Sequence, residues 1–256
     1  MAIERWNTAQ TGEKRSWENN SYKNTFYGEL KMLEQLNIKT ENKKLLEIGG
    51  GATELITLLN GEKHSIDPLM NFFLSEYSMP KNVNHIQGMG ENIPFKNNFF
   101  NFIFCINALD HSEDPIKVVE EINRTLDDKG ILFLRLNCYH PTTTKIRNLS
   151  ERMGAGDLCH PYSFSIEDMK ELLSSKGFEE VKIAYGQEFE NPIVPPKEKK
   201  KSLIKRITNV INLGGVFYLI KRLIVLPLNK YIEKKHKGTN GVFFIYKKIN
   251  PITKNK

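Results

Sequence analysis

Three consecutive glycines follow a short apolar segment in the run Lys-Leu-Leu-Glu-Ile-Gly-Gly-Gly-Ala-Thr-Glu-Leu, from Lys44 to Leu55. Residues without a Cβ let the main chain turn sharply and let a ligand pack against it, and the start of a helix adds free backbone N–H groups. We therefore predict a strand, then a ligand-binding turn, then a helix. Glu47 is expected to order this turn, which consists of Gly49, Gly50 and Gly51.

A carboxylate with a complementary role is predicted at Asp67, which ends the predicted strand from Lys63 about twenty residues after the first glycine. The tips of the first two parallel strands are neighbours in an open sheet, so this carboxylate can accept the hydroxyl groups of a ribose. The third glycine of the dinucleotide fingerprint is missing, because Glu54 occupies its position. A cationic or zwitterionic nucleoside therefore fits the pattern better than a dinucleotide.

Further blocks follow in a fixed order, and together they resemble one family. They are the glycine loop, Asp67, the runs Gln87 to Phe95 and Asn97 to Ile103, Asn107 to His111 with a helix opened by Asp114 and Pro115, and Asp128 to Leu134. From Leu45 to about Val181 the chain resembles a class I S-adenosylmethionine-dependent methyltransferase, of the small-molecule type 11 kind. The resemblance implies S-adenosylmethionine as cofactor and S-adenosylhomocysteine as product.

The fold that this resemblance implies is an α/β Rossmann-like three-layer sandwich. Its mostly parallel seven-stranded sheet has a last strand that runs antiparallel between the fifth and sixth. The sequence pattern predicts helices from Asp114 to Leu126 and from the capping-box residue Ser165 to Gly177. The sequence pattern predicts strands at Leu45–Ile48, Lys63–Asp67, Val83–Gln87, Phe100–Ile106, Ile131–Leu136, Phe178–Tyr185 and Val242–Lys247.

The resemblance also implies which residues hold the cofactor. The glycines and Asp67 hold its methionine part and ribose, and Glu47 also stands near enough for the cofactor's ammonium group. The family usually has an acidic residue where this chain has Met89, so we expect the thioether to pack on the adenine instead. The predicted cofactor-binding residues are Glu47, Gly49, Gly50, Gly51, Asp67, Pro68, Met89, Gly90, Glu91 and Asn107.

Three histidines are candidate catalytic residues, because an oxygen acceptor needs a base and histidine titrates near neutrality. His111 follows the fourth predicted strand, and His140 and His160 each precede a proline in the connection after the fifth. The alternative for each is a role in loop packing. We predict O-methylation of a small molecule, glycan or lipid-linked acceptor, without a metal. A catalytically degenerate binding protein and an RNA methyltransferase remain alternatives.

Three segments are expected along the 256 residues. Residues 1–42 form an N-terminal helical lid, residues 43–190 and 239–250 the methyltransferase domain, and residues 191–238 an inserted basic helical segment, here called the basic insertion. The three cysteines have no metal-like spacing, and no apolar signal segment opens the chain, so we expect a cytoplasmic protein. Aromatic residues of the lid could cover the cofactor: Trp6, Trp17, Tyr22, Phe26 and Tyr27.

The basic insertion carries twelve Lys and Arg against two Glu, a net +10, whereas the whole chain carries +7 and the remainder therefore −3. Apolar residues lie between the charges from Lys197 to Lys237. This pattern is typical of helices that lie in an anionic membrane interface, and it predicts a peripheral site on the inner face of the membrane. A cap on the enzyme or a dimer contact is the alternative, and nucleic acid is a weaker one. The oligomeric state is not predicted.

Overall fold

The computed structural model describes residues 2–19, 26–152, 159–189 and 241–249. Helices and strands alternate through most of these residues, as the sequence pattern predicts. The helices are α1 (Ala2–Asn19), α2 (Tyr27–Gln35), α3 (Met70–Glu76), α4 (Pro115–Thr125), α5 (Pro141–Arg152) and α6 (Ile166–Ser175). The strands are β1 (Lys44–Ile48), β2 (Glu62–Asp67), β3 (Asn84–Gln87), β4 (Phe100–Ile106), β5 (Leu126–Leu136), β6 (Phe178–Tyr185) and β7 (Val242–Lys248).

All seven strands form one sheet in the order β3-β2-β1-β4-β5-β7-β6. The first five strands pair in parallel, and β7 is antiparallel to both β5 and β6. The predicted architecture is therefore confirmed, including the position of the antiparallel last strand. Because the order reverses between β1 and β4, a crevice opens at the carboxyl ends of these two strands.

Apolar residues of the central strands pack on both faces of the sheet. Along β4, Ile103 and Cys105 belong to a core that includes residues of α4 and α6, whereas Phe102 and Phe104 belong to a second core with Met32 of α2. This alternation is expected for a strand that is covered on both sides. The sheet and the helices on its two faces form the three layers of the sandwich, and the two cores between them hold the strand ends at fixed positions.

Helix boundaries follow local signals in the sequence. The Asp114 side chain accepts hydrogen bonds from the backbone N–H groups of Ile116 and Lys117 and so caps α4. Ser165 and Asp168 form the predicted capping box at the start of α6. The α4 helix ends one residue earlier than predicted, because Leu126 already pairs with Phe100 as the first residue of β5.

The prediction of a helix directly after the glycines is wrong, since the chain forms only a 3-10 turn from Leu55 to Leu58. The residues that flank this turn, Glu54 and Leu59, both have an extended backbone conformation, so the helical segment ends after a single turn. Among the residues that the structure describes, no helix has both the length and the apolar character needed to cross a membrane.

Candidate active site

A cavity of about 410 Å³ lies at the carboxyl ends of β1, β2 and β4, with α1 along its other side. Every residue predicted to bind the cofactor lines it: Glu47, Gly49, Gly50, Gly51, Asp67, Pro68, Met89, Gly90, Glu91 and Asn107. The topology brings these residues together from four separate strand ends. The cavity has the size of an ordinary small-molecule site.

The glycine turn is the part of the cavity where backbone is closest to other groups. Gly49 has a φ of +70°, and a Cβ at this position would lie 2.4 Å from the Cβ of Ala108. Gly51 has a φ of +62°, and its Cβ would lie 2.5 Å from the indole of Trp17. Side chains are excluded at both positions by conformation and by space. The turn therefore presents bare main chain to the cavity.

Glu47 holds the segment that follows the glycines. Its two carboxylate oxygens accept hydrogen bonds from the backbone N–H groups of Leu55 and Ile56, at 3.2 and 2.9 Å. These N–H groups open the 3-10 turn and have no partner within it. Burial raises the pKa of Glu47 to about 8, although the two hydrogen bonds act in the opposite direction. The side chain thus orders the loop through direct contacts.

Asp67 connects the end of β2 to the glycine turn. One carboxylate oxygen accepts a hydrogen bond from the backbone N–H of Gly51 at 3.1 Å, and the other accepts from Leu69 at 2.7 Å. Burial raises its pKa to about 6. Each carboxylate oxygen has a second lone pair, so ribose hydroxyls can bind without displacing these backbone donors. The residue fits the role of ribose acceptor and also fixes the turn.

The predicted adenine end is formed by Met89, Gly90 and Glu91 in the loop after β3. The Glu91 carboxylate accepts hydrogen bonds from the backbone N–H groups of Glu113 and Asp114, at 2.7 and 3.0 Å. This side chain therefore joins the adenine loop to the start of α4. Glu91 also lines the cavity, together with Met89.

The candidate catalytic histidines separate into two groups. His111 and His160 both line the cavity, and their ring centroids are 4.3 Å apart. His140 is not among the lining residues, and its Nδ1 accepts a hydrogen bond from the backbone N–H of Thr142 at the start of α5. Of the three candidates, His111 and His160 thus lie together in the cavity wall, while His140 lies at the start of α5.

Helix α1 closes the side of the cavity that faces away from the sheet. The lining residues it supplies are Trp6, Gln10, Glu13, Ser16 and Trp17, and Phe26 follows from the next segment. The hydroxyl of Tyr77 donates a hydrogen bond to the Trp17 carbonyl at 3.0 Å, which attaches the end of α1 to the end of α3. Tyr22, also predicted to cover the cofactor, lies outside the described residues, as does the whole basic insertion.

Glu13 is a site residue that the sequence reasoning missed. Its carboxylate lies 3.8 Å from Nδ1 of His111. A signal was present, because residues 6, 10, 13 and 17 follow the three-and-four spacing that places side chains on one helix face. Only the aromatic members of that face were considered as cofactor contacts.

The sequence matches the family model of a methyltransferase domain over residues 22–183, which is more than half of the chain. Comparison with curated proteins gives no match.

Solved structures with the same fold come from several organisms. A candidate methyltransferase from Bacillus halodurans aligns with a TM-score of 0.58 at 16% identity, covering 86% of this chain and 99% of that one. A protein described as an S-adenosylmethionine-dependent methyltransferase from Thermotoga maritima aligns at 0.52 and 16% identity, covering 86% and 90%. Phosphoethanolamine N-methyltransferase 2 from Haemonchus contortus, solved with S-adenosylmethionine, aligns at 0.50 and 14% identity, covering 86% and 52%.

The glycine turn, the acid at the end of β2 and the sheet order therefore have one common explanation. The chain belongs to the methyltransferase domain family and is a Rossmann-like S-adenosylmethionine-dependent methyltransferase.

Proposed function

We propose that this enzyme methylates a hydroxyl oxygen of a small molecule, a glycan or a lipid-linked acceptor. The observation that carries the proposal is the pair of imidazoles, His111 and His160, in the cavity wall beyond the glycine turn. An oxygen nucleophile must lose its proton during methyl transfer, whereas an amine can lose its proton to water afterwards. An imidazole at this place supplies the base that a hydroxyl needs.

When bound, S-adenosylmethionine supplies a methyl group on a positively charged sulfur, which leaves as S-adenosylhomocysteine. The chain's own contribution is to hold the acceptor oxygen in line with that methyl group and to take its proton. His111 takes this proton, and Glu13, whose carboxylate lies 3.8 Å from Nδ1 of His111, stabilises the resulting imidazolium. A new O–CH₃ bond replaces the S–CH₃ bond.

The charges of the cavity favour an acceptor whose reacting group is neutral. Among the described residues that line it, none is Lys or Arg, and four are carboxylic acids: Glu13, Glu47, Asp67 and Glu91. Burial raises the pKa of Glu47 to about 8, so near neutral pH the negative charge comes from the other acids of this set. They attract the cofactor's sulfonium and repel a phosphate or carboxylate placed next to it. A hydroxyl of a sugar or of a small molecule can enter, and any phosphate of a lipid-linked acceptor would have to lie outside the cavity.

The place where the basic insertion joins the domain supports an anionic membrane surface as a partner. The N–H of Gly186 donates to the carbonyl of Gly241 at 2.7 Å, so the two ends of the intervening segment are adjacent. Val242 pairs with Leu136 at the carboxyl end of β5, which is the same edge of the sheet as the cavity. The insertion therefore leaves from the catalytic edge, and a cytoplasmic enzyme bound through it would face the membrane with its acceptor site.

The test is formation of S-adenosylhomocysteine from S-adenosylmethionine with a panel of hydroxyl and amine acceptors. We expect the wild-type enzyme to turn over a hydroxyl acceptor. The His111→Ala variant should bind S-adenosylhomocysteine normally but turn over this acceptor at least about tenfold more slowly. Turnover of amines alone would overturn the proposal for oxygen. Cofactor binding without turnover of any acceptor, alone or on vesicles, would favour a degenerate binding protein.

A further inference from the structure

A buried carboxylate oxygen without a hydrogen-bond partner lies next to His111, one of the two histidines that line the cavity. Asp110 is 7% exposed, and its Oδ1 atom accepts no hydrogen bond from the residues that the structure describes. The nearest imidazole nitrogen, Nε2 of His111, lies 3.9 Å away, which is too far for a hydrogen bond. A buried carboxylate is costly unless something compensates its charge.

The residues around Asp110 supply the donors that a cation would need. Asp110, His111 and His160 each offer one ligand atom, and these three atoms lie within 4.8 Å of one another. His160 is brought to this place by the following Tyr162, whose N–H donates to the Asp110 carbonyl at 3.4 Å and whose hydroxyl donates to the Glu113 carbonyl at 2.7 Å. The segment after residue 159 is thus tied to the 3-10 turn that carries Asp110 and His111.

We propose that Asp110, His111 and His160 form a binding site for a divalent transition-metal ion such as Zn²⁺. Two imidazoles and one carboxylate are a common ligand set for zinc with an open fourth position. Ligand atoms around a tetrahedral zinc lie about 3.3 Å apart. Side-chain rotations that move each ligand atom by about 1 Å would bring the three atoms to this separation.

The second nitrogen of His111 supports this assignment. Because Nε2 faces Asp110, the remaining Nδ1 faces the Glu13 carboxylate at 3.8 Å. Imidazoles that bind metals usually donate their other N–H to a carboxylate, a backbone carbonyl or water, which fixes the tautomer and the ring orientation. The 3.8 Å contact is too long for a hydrogen bond, so Glu13 must move closer by about 1 Å to accept from Nδ1. Helix α1 thus provides the outer carboxylate of the site, and its closure and metal binding support each other.

The consequence for the reaction rests on the proposed function. The open position faces the cavity, since both histidines line it. A hydroxyl that binds there becomes more acidic and releases its proton to Glu13 or to water, which leaves an alkoxide for methylation. In the metal-loaded enzyme His111 is then a ligand, and the ion takes over the activation that the free imidazole performs in the metal-free protein.

The experiment is calorimetric titration of the full-length protein with Zn²⁺ after removal of metals by a chelator. We expect one ion per chain, binding at least about tenfold weaker in Asp110→Asn and in His160→Gln, and no binding of Mg²⁺, which prefers all-oxygen ligands. His140→Gln is the matched control, because it removes an imidazole outside the cavity, and it should bind Zn²⁺ like the wild type. No binding, or equal binding by all four proteins, would overturn the site.

Co²⁺ substitution gives a second test that needs no variant. The Co²⁺-loaded protein should show the visible absorption of a tetrahedral ion and no thiolate-to-cobalt charge-transfer band. Such a band would place the ion on a cysteine and contradict the proposal. Titration of the same chelated protein with S-adenosylhomocysteine keeps the two proposals apart. Cofactor binding and hydroxyl methylation without Zn²⁺ binding would overturn the metal-site proposal and leave the proposed function standing. Zn²⁺ binding without methylation would overturn the proposed function and leave the metal site standing.

Discussion

The indole of Trp17 occupies the space that a Cβ of Gly51 would need, with its Cζ2 atom only 2.5 Å from that position. The ring also makes an edge contact with Phe73, at 5.1 Å between centroids. A residue of α1 therefore lies directly on the backbone of the cofactor loop. This contact gives the predicted N-terminal lid a physical basis, and we propose that α1 retains the bound cofactor.

The contact predicts a non-additive pair of substitutions. Gly51→Ala should displace the indole and loosen α1, so release of S-adenosylhomocysteine should become at least about tenfold faster. In a Trp17→Ala background the added methyl has space, and Gly51→Ala should have a much smaller effect. The backbone strain of a positive φ is present in both backgrounds and cancels. Stopped-flow measurement of ligand release from all four proteins checks this, and equal effects in both backgrounds would contradict the lid.

Asp67→Asn should weaken binding of S-adenosylhomocysteine by roughly 1–3 kcal/mol, about five- to 150-fold. The amide keeps one acceptor oxygen but loses the charge that attracts the Gly51 N–H and, in the predicted role, the ribose hydroxyls. Calorimetric titration measures the loss. Asp128→Asn is the control, since that residue is an exposed acid on β5, and it should bind the ligand normally. Unchanged affinity in a folded Asp67→Asn protein would exclude the ribose assignment.

Stability should fall with rising pH because of Glu47. Burial raises the pKa of Glu47 to about 8 from the ordinary value of 4.5, so the folded protein keeps a proton that the unfolded chain has lost. The free energy of unfolding therefore decreases as the pH rises from about 4.5 to about 8, and this contribution is constant above that. Between pH 6 and pH 8 we expect a loss of about 2 kcal/mol from this group.

Glu47→Gln provides the comparison for this pH dependence. The amide cannot ionise, so this contribution to the pH dependence should disappear, although the variant is less stable at low pH. Two backbone N–H groups, of Leu55 and Ile56, then share a single acceptor oxygen. Denaturant unfolding of both proteins at several pH values measures the difference, which should narrow as the pH rises. A constant difference would mean that Glu47 is ionised in the folded protein throughout.

Membrane binding is tested by replacing residues 190–240 with a short Gly-Ser linker. The hydrogen bond between Gly186 and Gly241 keeps the two ends adjacent, so β6 and β7 should pair as before and the protein should fold. The full-length protein should sediment with vesicles that contain anionic lipid and not with neutral ones, while the shortened protein should stay in solution. Sedimentation of the shortened protein would place the membrane contact elsewhere.

Much of the fold could be predicted, because buried strands and capped helices leave local signals. The apolar run Phe100–Ile106 forms the predicted strand without a change at either end, and Ser165 and Asp168 make their capping box. The position of α1 could not be predicted in this way. It depends on the fit of Trp17 against Gly51, residues that are far apart in sequence, and Glu13 enters the site only as a result.

The candidate histidines show the same limit more clearly. His140 and His160 both precede a proline in the same connection, so local sequence treats them alike. Tertiary contacts separate them: Tyr162 ties the segment of His160 to the 3-10 turn of His111, whereas His140 lies at the start of α5. A spatial cluster of ligands formed by residues 50 positions apart leaves no spacing for a motif search to detect.

Helix α1 contacts the surroundings of the cavity at two separate places. Trp17 lies on the glycine turn, and at Gly12 an added Cβ would lie only 3.0 Å from the sulfur of Cys159, which precedes His160. In the proposed arrangement this one helix covers both the cofactor and the acceptor, so neither could leave while the helix stays in place. The two products would therefore share a single exit step, and the rate of that step, rather than that of the chemistry, would set an upper limit on turnover.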